Sequence, residues 1–344
     1  MSRRASFLTT SALSVLFACN TAVLTHPPDS GPDPLPDVDV PDSSAWPFPT
    51  TSNVSIVVEP SDNAAALLAA INGAQKSVHV TMYLLSNNSF TNALINRKKA
   101  GVDVQVVLNQ TFPDPSFDNT PAFNALKNNG VPVVWASKAY TFTHEKCVIV
   151  DGATAWIMTM NLTVSSPSQN REFLAVDSEP ADVAEAETIF AADFANQVPA
   201  PAGRLVLAPK NARDRIGTLI GLAKSTIDVE SETFSDLAFQ NALQSAKVRG
   251  VTVRVLVSDQ NPTTAMSAAI NALKNTGISV KKLATPYIHS KAIVVDGVVG
   301  YVGSANLTQN SVDGNRELGL IVEGAPLQTL AQTIDADFKA GVAY

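Results

Sequence analysis

Two short stretches of the chain carry the same three chemically capable side chains at the same spacing. In "FTHEKCVIVDG" (142–152), His144 is followed by Lys146 and Asp151; in "YIHSKAIVVDG" (287–297), His289 is followed by Lys291 and Asp296. The chain has four histidines, so half of them lie in these two segments. Histidine can act as nucleophile, base or acid near neutral pH, and lysine is a compact cation suited to an anionic oxygen. Further on, Asn161 and Asn306 add uncharged donors, while Thr159 and Ser304 add hydroxyls. Together these groups describe a pocket for a phosphate diester, with charge developing on its oxygens during reaction. A metal site is the competing reading, because histidine and aspartate are both ligands. Against it, a lysine beside each histidine repels a cation, and strand alternation turns Asp151 and Asp296 to the opposite face. No metal and no cofactor are expected.

The elements that must position these residues are themselves duplicated. Residues 77–108 align with 226–257 at one constant offset, sharing "NAL" and a Gly-Val that enters a Val/Leu run. Residues 150–163 align with 295–308, and "NREFLAV" (170–176) aligns with "NRELGLIV" (315–322). In each half a short strand (54–58; 204–208) precedes an Ala/Leu-rich helix (62–75; 211–224). Strand, helix and strand follow, then a helix closed by a C-capping glycine ("AFNALKNNG"; "AAINALKNTG"). The motif strand pairs with its successor, and a last helix ends the half. The pattern predicts an α/β protein of two similar α-β-α sandwich halves, 51–200 and 201–344, with mixed β-sheets. A pseudo-two-fold axis would bring both motif strands to one shared active site. A reaction in which one group attacks and another donates a proton needs two such residues, which one copy of the motif lacks.

Both halves resemble the phospholipase D superfamily signature, His-x-Lys-x4-Asp-x6-Gly-Ser-x-Asn. The second copy is complete through Gly303, Ser304 and Asn306; in the first, Met158 and Thr159 replace Gly-Ser ahead of Asn161. Thr159 keeps the hydroxyl, whereas Met158 should narrow the room there. The resemblance covers nearly all of 54–340. It implies a metal-free mechanism through a covalent phosphohistidine, with His144 as nucleophile and His289 as acid and base. It also implies that Lys146, Lys291, Asn161 and Asn306 hold phosphate oxygens, with Thr159 and Ser304 beside the substrate. Relatives place an acid where Glu172 and Glu317 stand, hydrogen-bonded to the far nitrogen of a motif histidine. The other reading of those glutamates is strand-edge ion pairing with Arg171 and Arg316. Asp151 and Asp296 are expected to be structural, pinning the motif strand and its glycine turn.

The N-terminus carries a different signal. "MSRRASFLTTSALSVLFAC" (1–19) has a basic start and an apolar stretch too short to span a bilayer, which reads as an export signal. Its end, "LFAC", resembles the lipobox of bacterial lipoproteins, which predicts lipidation of Cys19 and an exported, membrane-anchored protein. Residues 20–50 are rich in proline and aspartate and read as a disordered tether. Cys147 would then be the one remaining thiol, which excludes a disulfide framework and reads as a small core residue. Setting aside Arg3, Arg4 and the five tether aspartates, residues 51–344 hold 22 basic and 26 acidic residues, a balance of −4. Proteins that grip long nucleic acid usually carry a basic excess, so nucleic acid is the less favoured partner. The leading expectation is a monomeric phospholipase D that hydrolyses phospholipid to phosphatidic acid and head group. The alternatives are a metal-independent nuclease of the same superfamily and a phosphatidyltransferase resembling cardiolipin synthase.

Overall fold

The computed structural model describes residues 46–200, 203–260 and 262–344. Cys19, the export signal and nearly all of the tether lie outside the described residues.

The first half runs β1 (Val54–Glu59), α1 (Ala65–Gly73), β2 (Ser77–Met82), α2 (Asn88–Lys99), β3 (Asp103–Leu108) and α3 (Thr120–Asn128). It continues through β4 (Val133–Trp135), β5 (Lys146–Val150), β6 (Thr154–Met158), α4 (Ser166–Gln169), β7 (Asn170–Asp177) and α5 (Pro180–Phe194). The second half opens with β8 (Val206–Ala208), α6 (Ala212–Gly221), β9 (Thr226–Ser231), α7 (Leu237–Val248), β10 (Thr252–Ser258) and α8 (Thr264–Asn275). Then come β11 (Ser279–Leu283), β12 (Tyr287–Ile288), β13 (Lys291–Val295) and β14 (Val299–Gly303). It closes with α9 (Gln309–Asp313), β15 (Glu317–Glu323), α10 (Ala325–Ala340) and β16 (Val342–Ala343).

Local chemistry sets many of the boundaries. Asn87 caps α2 through Ser89 N, Asp236 caps α7 through Ala238 N and Phe239 N, and Thr263 caps α8 through Met266 N. Gly130 and Gly277 follow α3 and α8 with φ of 75° and 82°, the left-handed region that ends a helix without a Cβ penalty.

One sheet has the order β1-β7-β6-β5-β2-β3-β4, with β12 added beside β7; the other has the order β16-β11-β10-β9-β13-β14-β15-β8. In each, the motif strand (β5 or β13) runs antiparallel to β2 or β9, which in turn runs parallel to its next neighbour. Helices α1–α3 cover the outer face of the first sheet and α6–α8 that of the second, each over its own apolar core. A third core lies between the sheets. There Cys147, Ile157, Phe173 and Ala175 meet Ala292, Val302, Leu318 and Leu320, with α5 and α10 contributing Ile189, Phe190, Leu330 and Ile334. The two halves therefore share buried apolar surface, which makes their separation costly.

Candidate active site

Each motif strand ends in a two-residue turn, Asp151-Gly152 or Asp296-Gly297, with positive φ at all four residues. That is the geometry Asp-Gly favours in tight hairpins. The Asp151 carboxylate also accepts from the backbone N–H groups of Gln75, Lys76 and Ser77 at 2.6–3.0 Å. Asp296 accepts from Lys224, Ser225 and Thr226 N–H at 2.7–2.8 Å. Both aspartates thus tie the motif hairpin to the loop that enters the neighbouring strand, and the bonds hold their carboxyls below the usual range against the opposing push of burial.

At the other end of the motif strands the backbone crosses between halves. His144 N donates to Arg316 O at 2.9 Å, and Arg316 N donates to Phe142 O at 2.9 Å. In mirror fashion, Tyr287 and Ile288 pair with Asn170 and Arg171, and His289 N donates to Arg171 O at 3.3 Å. This register sets the residue after each arginine against the histidine of the opposite half. The Glu317 carboxylate lies 2.9 and 3.1 Å from His144 Nδ1, and Glu172 lies 2.7 Å from His289 Nδ1. Both acids are fully buried and carry their own anchors. Asn315 Nδ2 and Ser311 Oγ donate to Glu317 at 3.0 and 2.7 Å; Asn170 Nδ2 and Thr159 Oγ1 donate to Glu172 at 3.2 and 2.6 Å. Burial pushes these carboxyls upward, but the facing histidines and nearby lysines hold both below the usual range.

The alternative ion pairs do not form. Arg171 turns to Asp337 at 2.5 Å and Arg316 to Asp193 at 3.1 Å, each an acid on the last helix of the opposite half. The duplicated arginines thus cross-tie the halves and leave the glutamates to the histidines.

His144 Nδ1 is hydrogen-bonded to Glu317, while His289 Nδ1 lies against Glu172 at ion-pair distance without a hydrogen bond. That leaves Nε2 as the ring atom to react in each, and both imidazoles line one cavity of about 520 Å³. Asn161 and Asn306 line it too, and the Oδ1 atom of each is buried without a hydrogen-bond partner. The lysines, expected to hold phosphate oxygens, instead lie buried beneath the floor and outside the cavity lining. Lys146 Nζ donates to His144 O at 2.6 Å and Lys291 Nζ donates to His289 O, each fastening its own motif segment. Burial lowers Lys146 to about 7 against the attraction of Glu317. It lowers His144 as well, with Lys146 adding to the shift and Glu317 opposing it, so the neutral imidazole is favoured.

Two further expectations need correction. Thr159 and Ser304 do not face the cavity. Both are fully buried, and their hydroxyls are committed, Thr159 to Glu172 and Phe173 N, Ser304 to the backbone of Leu318. They support the site from behind, because a buried hydroxyl must spend its hydrogen bonds on what surrounds it. Met158 does not narrow the pocket either. It lies opposite Leu174 in the outer core, and in the second half Gly303 and Gly319 leave the matching space to the Tyr301 ring.

Three further cavity residues lie against the motif side chains, and the motif itself marks none of them. Tyr83 stands edge-on to His144, with ring centroids 4.5 Å apart, and Lys146 Nζ lies 5.0 Å from its ring. Glu232 accepts from Lys291 Nζ at 2.9 Å and from Tyr287 OH at 3.1 Å. The repeat offset that aligns β2 with β9 pairs Tyr83 with Glu232, so the aligned sequences held a signal in their mismatch. The third is Tyr287, two residues before His289 and visible only as part of the strand.

A family model described as "Cardiolipin synthase, PLD-like domain" matches residues 67–194 and again 216–341. The chain belongs to the phospholipase D superfamily. The major cardiolipin synthase ClsA of Bacillus subtilis (strain 168) is 23% identical over 338 residues, covering 85% of this chain and 69% of that protein. Against three cardiolipin synthases of Bacillus, one of them named as probable, this chain spans 64–69% of the relative's length. The mitochondrial cardiolipin hydrolase of Homo sapiens is 33% identical over 115 residues, 33% of this chain and 45% of that one. Among solved structures, phosphatidylserine synthase of Haemophilus influenzae Rd KW20 superposes with a TM-score of 0.66 at 11% identity, over 86% of this chain and 89% of that one. At that identity the likeness speaks to the fold, which this superfamily member shares along almost its whole described length.

Proposed function

We propose that this phospholipase D superfamily enzyme transfers a phosphatidyl group from a phospholipid to an alcohol, with water as the competing acceptor. The observation that carries the reading is the crossed pair of His–Glu contacts in one cavity, which leaves two Nε2 atoms from opposite halves for one phosphorus. His144 Nε2 attacks phosphorus and a P–N bond forms. The P–O bond to the head group breaks, and His289 gives its Nε2 proton to the departing alcohol oxygen. An acceptor alcohol then returns a proton to His289 as its oxygen bonds phosphorus and the P–N bond breaks. Asn161 and Asn306 donate from Nδ2 to the non-bridging oxygens as charge develops there. The buried lysines act from beneath the floor by fastening the two histidine segments, and no step needs a metal.

A lipid substrate is supported by the cavity wall. From Tyr83 it continues past Leu84 to Phe117, Pro121 and Val164, and Phe117 and Val164 are exposed at the rim. That wall offers acyl chains an apolar path out of a site otherwise built for phosphate. Transfer is ranked above hydrolysis because relatives matched along most of the chain are named as cardiolipin synthases. The deciding experiment presents vesicles of labelled phosphatidylglycerol with and without added glycerol, and single-stranded DNA in parallel, all with chelator present. Alcohol-dependent phospholipid product is expected. Phosphatidic acid alone would return the reading to hydrolysis, and faster cleavage of DNA would make the enzyme a nuclease.

A further inference from the structure

Each half supplies a histidine and an asparagine to the cavity, but beside them the first half places Tyr83 where the second places Glu232. The positions are equivalent in the backbone as well as in the alignment. Each follows the strand beside the motif strand, and each N–H donates to the residue after a motif histidine, Tyr83 to Glu145 O at 3.1 Å and Glu232 to Ser290 O at 3.0 Å. On the first side stands an aromatic ring; on the second, a carboxylate. Glu232 Oε1 is taken by Tyr287 OH, while Oε2 lies 2.9 Å from Lys291 Nζ, 3.4 Å from Asn306 Nδ2 and 3.6 Å from His289 Nε2. The side chain lines the cavity and is 20% exposed. Burial pushes this carboxyl upward, but His289 and Lys291 hold it well below the usual range, so it is an anion.

A fixed negative charge is an odd neighbour for an anionic diester, since like charges repel strongly where water is scarce. Its place suggests what it accepts. His289 Nε2 is the atom that hands a proton to the departing alcohol and takes one from the entering alcohol, so Glu232 Oε2 sits beside that alcohol oxygen. In a gauche 1,2-disubstituted ethane the two heteroatoms lie roughly 3 Å apart. With one oxygen on Nε2, the second heteroatom therefore falls within reach of Oε2.

We propose that Glu232 is the specificity-determining residue for the alcohol. It selects alcohols that carry a second hydrogen-bond donor on the neighbouring carbon, whether hydroxyl or ammonium N–H. The cleft is then sided, with the apolar wall beginning at Tyr83 for the diacylglycerol and Glu232 for the head group. This rests on the transfer reading above and deepens it.

The test lets acceptors compete for one phosphohistidine, so the product ratio is independent of overall rate. Phosphatidylglycerol vesicles are given equal concentrations of ethylene glycol and 2-methoxyethanol, which differ in the second donor. The wild type should favour ethylene glycol by about tenfold or more, the scale of a hydrogen bond to a charged group. Glu232→Leu and Glu232→Tyr should each bring the ratio close to one. A second arm sets ethanolamine against choline, which keeps the positive charge but has no N–H; ethanolamine should win. A wild-type ratio near one, a preference that survives both substitutions, or choline accepted as readily as ethanolamine would overturn the proposal while leaving transfer intact. No alcohol product at all would overturn the transfer reading and this proposal with it.

Discussion

Replacing Glu317 with glutamine should cost far more activity than replacing Glu172, although both glutamates touch a catalytic-motif histidine. In Glu317, Oε1 accepts from both Ser311 Oγ and Asn315 Nδ2, and Oε2 is the nearer oxygen to His144 Nδ1 at 2.9 Å. A glutamine must keep its carbonyl oxygen on the two donors, which turns its NH2 toward Nδ1. His144 would then accept at Nδ1 and carry its proton on Nε2, the wrong tautomer for a nucleophile. In Glu172, Oε1 takes both the Asn170 amide and the His289 contact, while Oε2 meets Thr159 Oγ1. A glutamine there can keep its oxygen toward His289 and give its NH2 to the hydroxyl, which can turn to accept. Wrong-tautomer substitutions in histidine-dependent hydrolases cost up to about 10⁴-fold, so Glu317→Gln should lose about 10³–10⁴-fold, ~4–5.5 kcal/mol of barrier. Glu172→Gln should lose no more than about 10-fold. The assay is release of p-nitrophenol from bis-p-nitrophenyl phosphate, with circular dichroism melts to verify folding. Equal losses in two folded variants would refute the tautomer argument and leave only the removal of charge.

Other expectations follow from the same geometry. His144→Ala should abolish trapping of a radiolabelled phosphoenzyme. His289→Ala should still form it from a p-nitrophenyl diester, whose leaving group needs no proton, while losing about 10²–10⁴-fold on phospholipid; trapping in both or in neither would reverse or remove the assigned roles. Burial first and then Asp193 push the Glu145 carboxyl up, and burial first and then Asp337 push Glu230 up, each to about 8, which favours their neutral forms near neutral pH. Because their folded values exceed the unfolded ones, they contribute stability that is complete below the usual carboxylate range and lost as pH rises through the raised values. Glu145→Gln should therefore flatten the fall in unfolding free energy between about pH 5 and pH 9, measured by denaturant titration; an unchanged slope would refute it. Asp296→Ala should destabilise the fold by about 1–3 kcal/mol by removing the carboxylate that accepts from three backbone N–H groups, again read by denaturant. Finally, Cys19→Ser should release the protein from the membrane fraction of its host, and equal release of wild type and variant would sink the lipid anchor read from "LFAC".

Much of this protein follows from its sequence, because a duplicated motif constrains what each copy must do. Spacing paired His with Lys and Asn in each half, the family resemblance added Glu172 and Glu317, and periodicity of strands and helices pointed to two α/β sandwiches. The Asp-Gly pairs marked the hairpin turns, since few other dipeptides tolerate two positive φ angles. What the sequence could not carry was which partner lies across the axis. Glu172 and Glu317 each share a half with the histidine they do not touch. The backbone bonds from His144 to Arg316 and from His289 to Arg171 decide the exchange. Burial was equally silent in the residue string. Thr159 and Ser304 looked like substrate hydroxyls because the motif counts positions, but strand alternation and packing turned them behind the cavity wall. Glu232 was invisible for the opposite reason. It breaks the repeat instead of obeying it, and only the fold brings an acid from the end of β9 to the Nε2 atom of a histidine 57 residues further on.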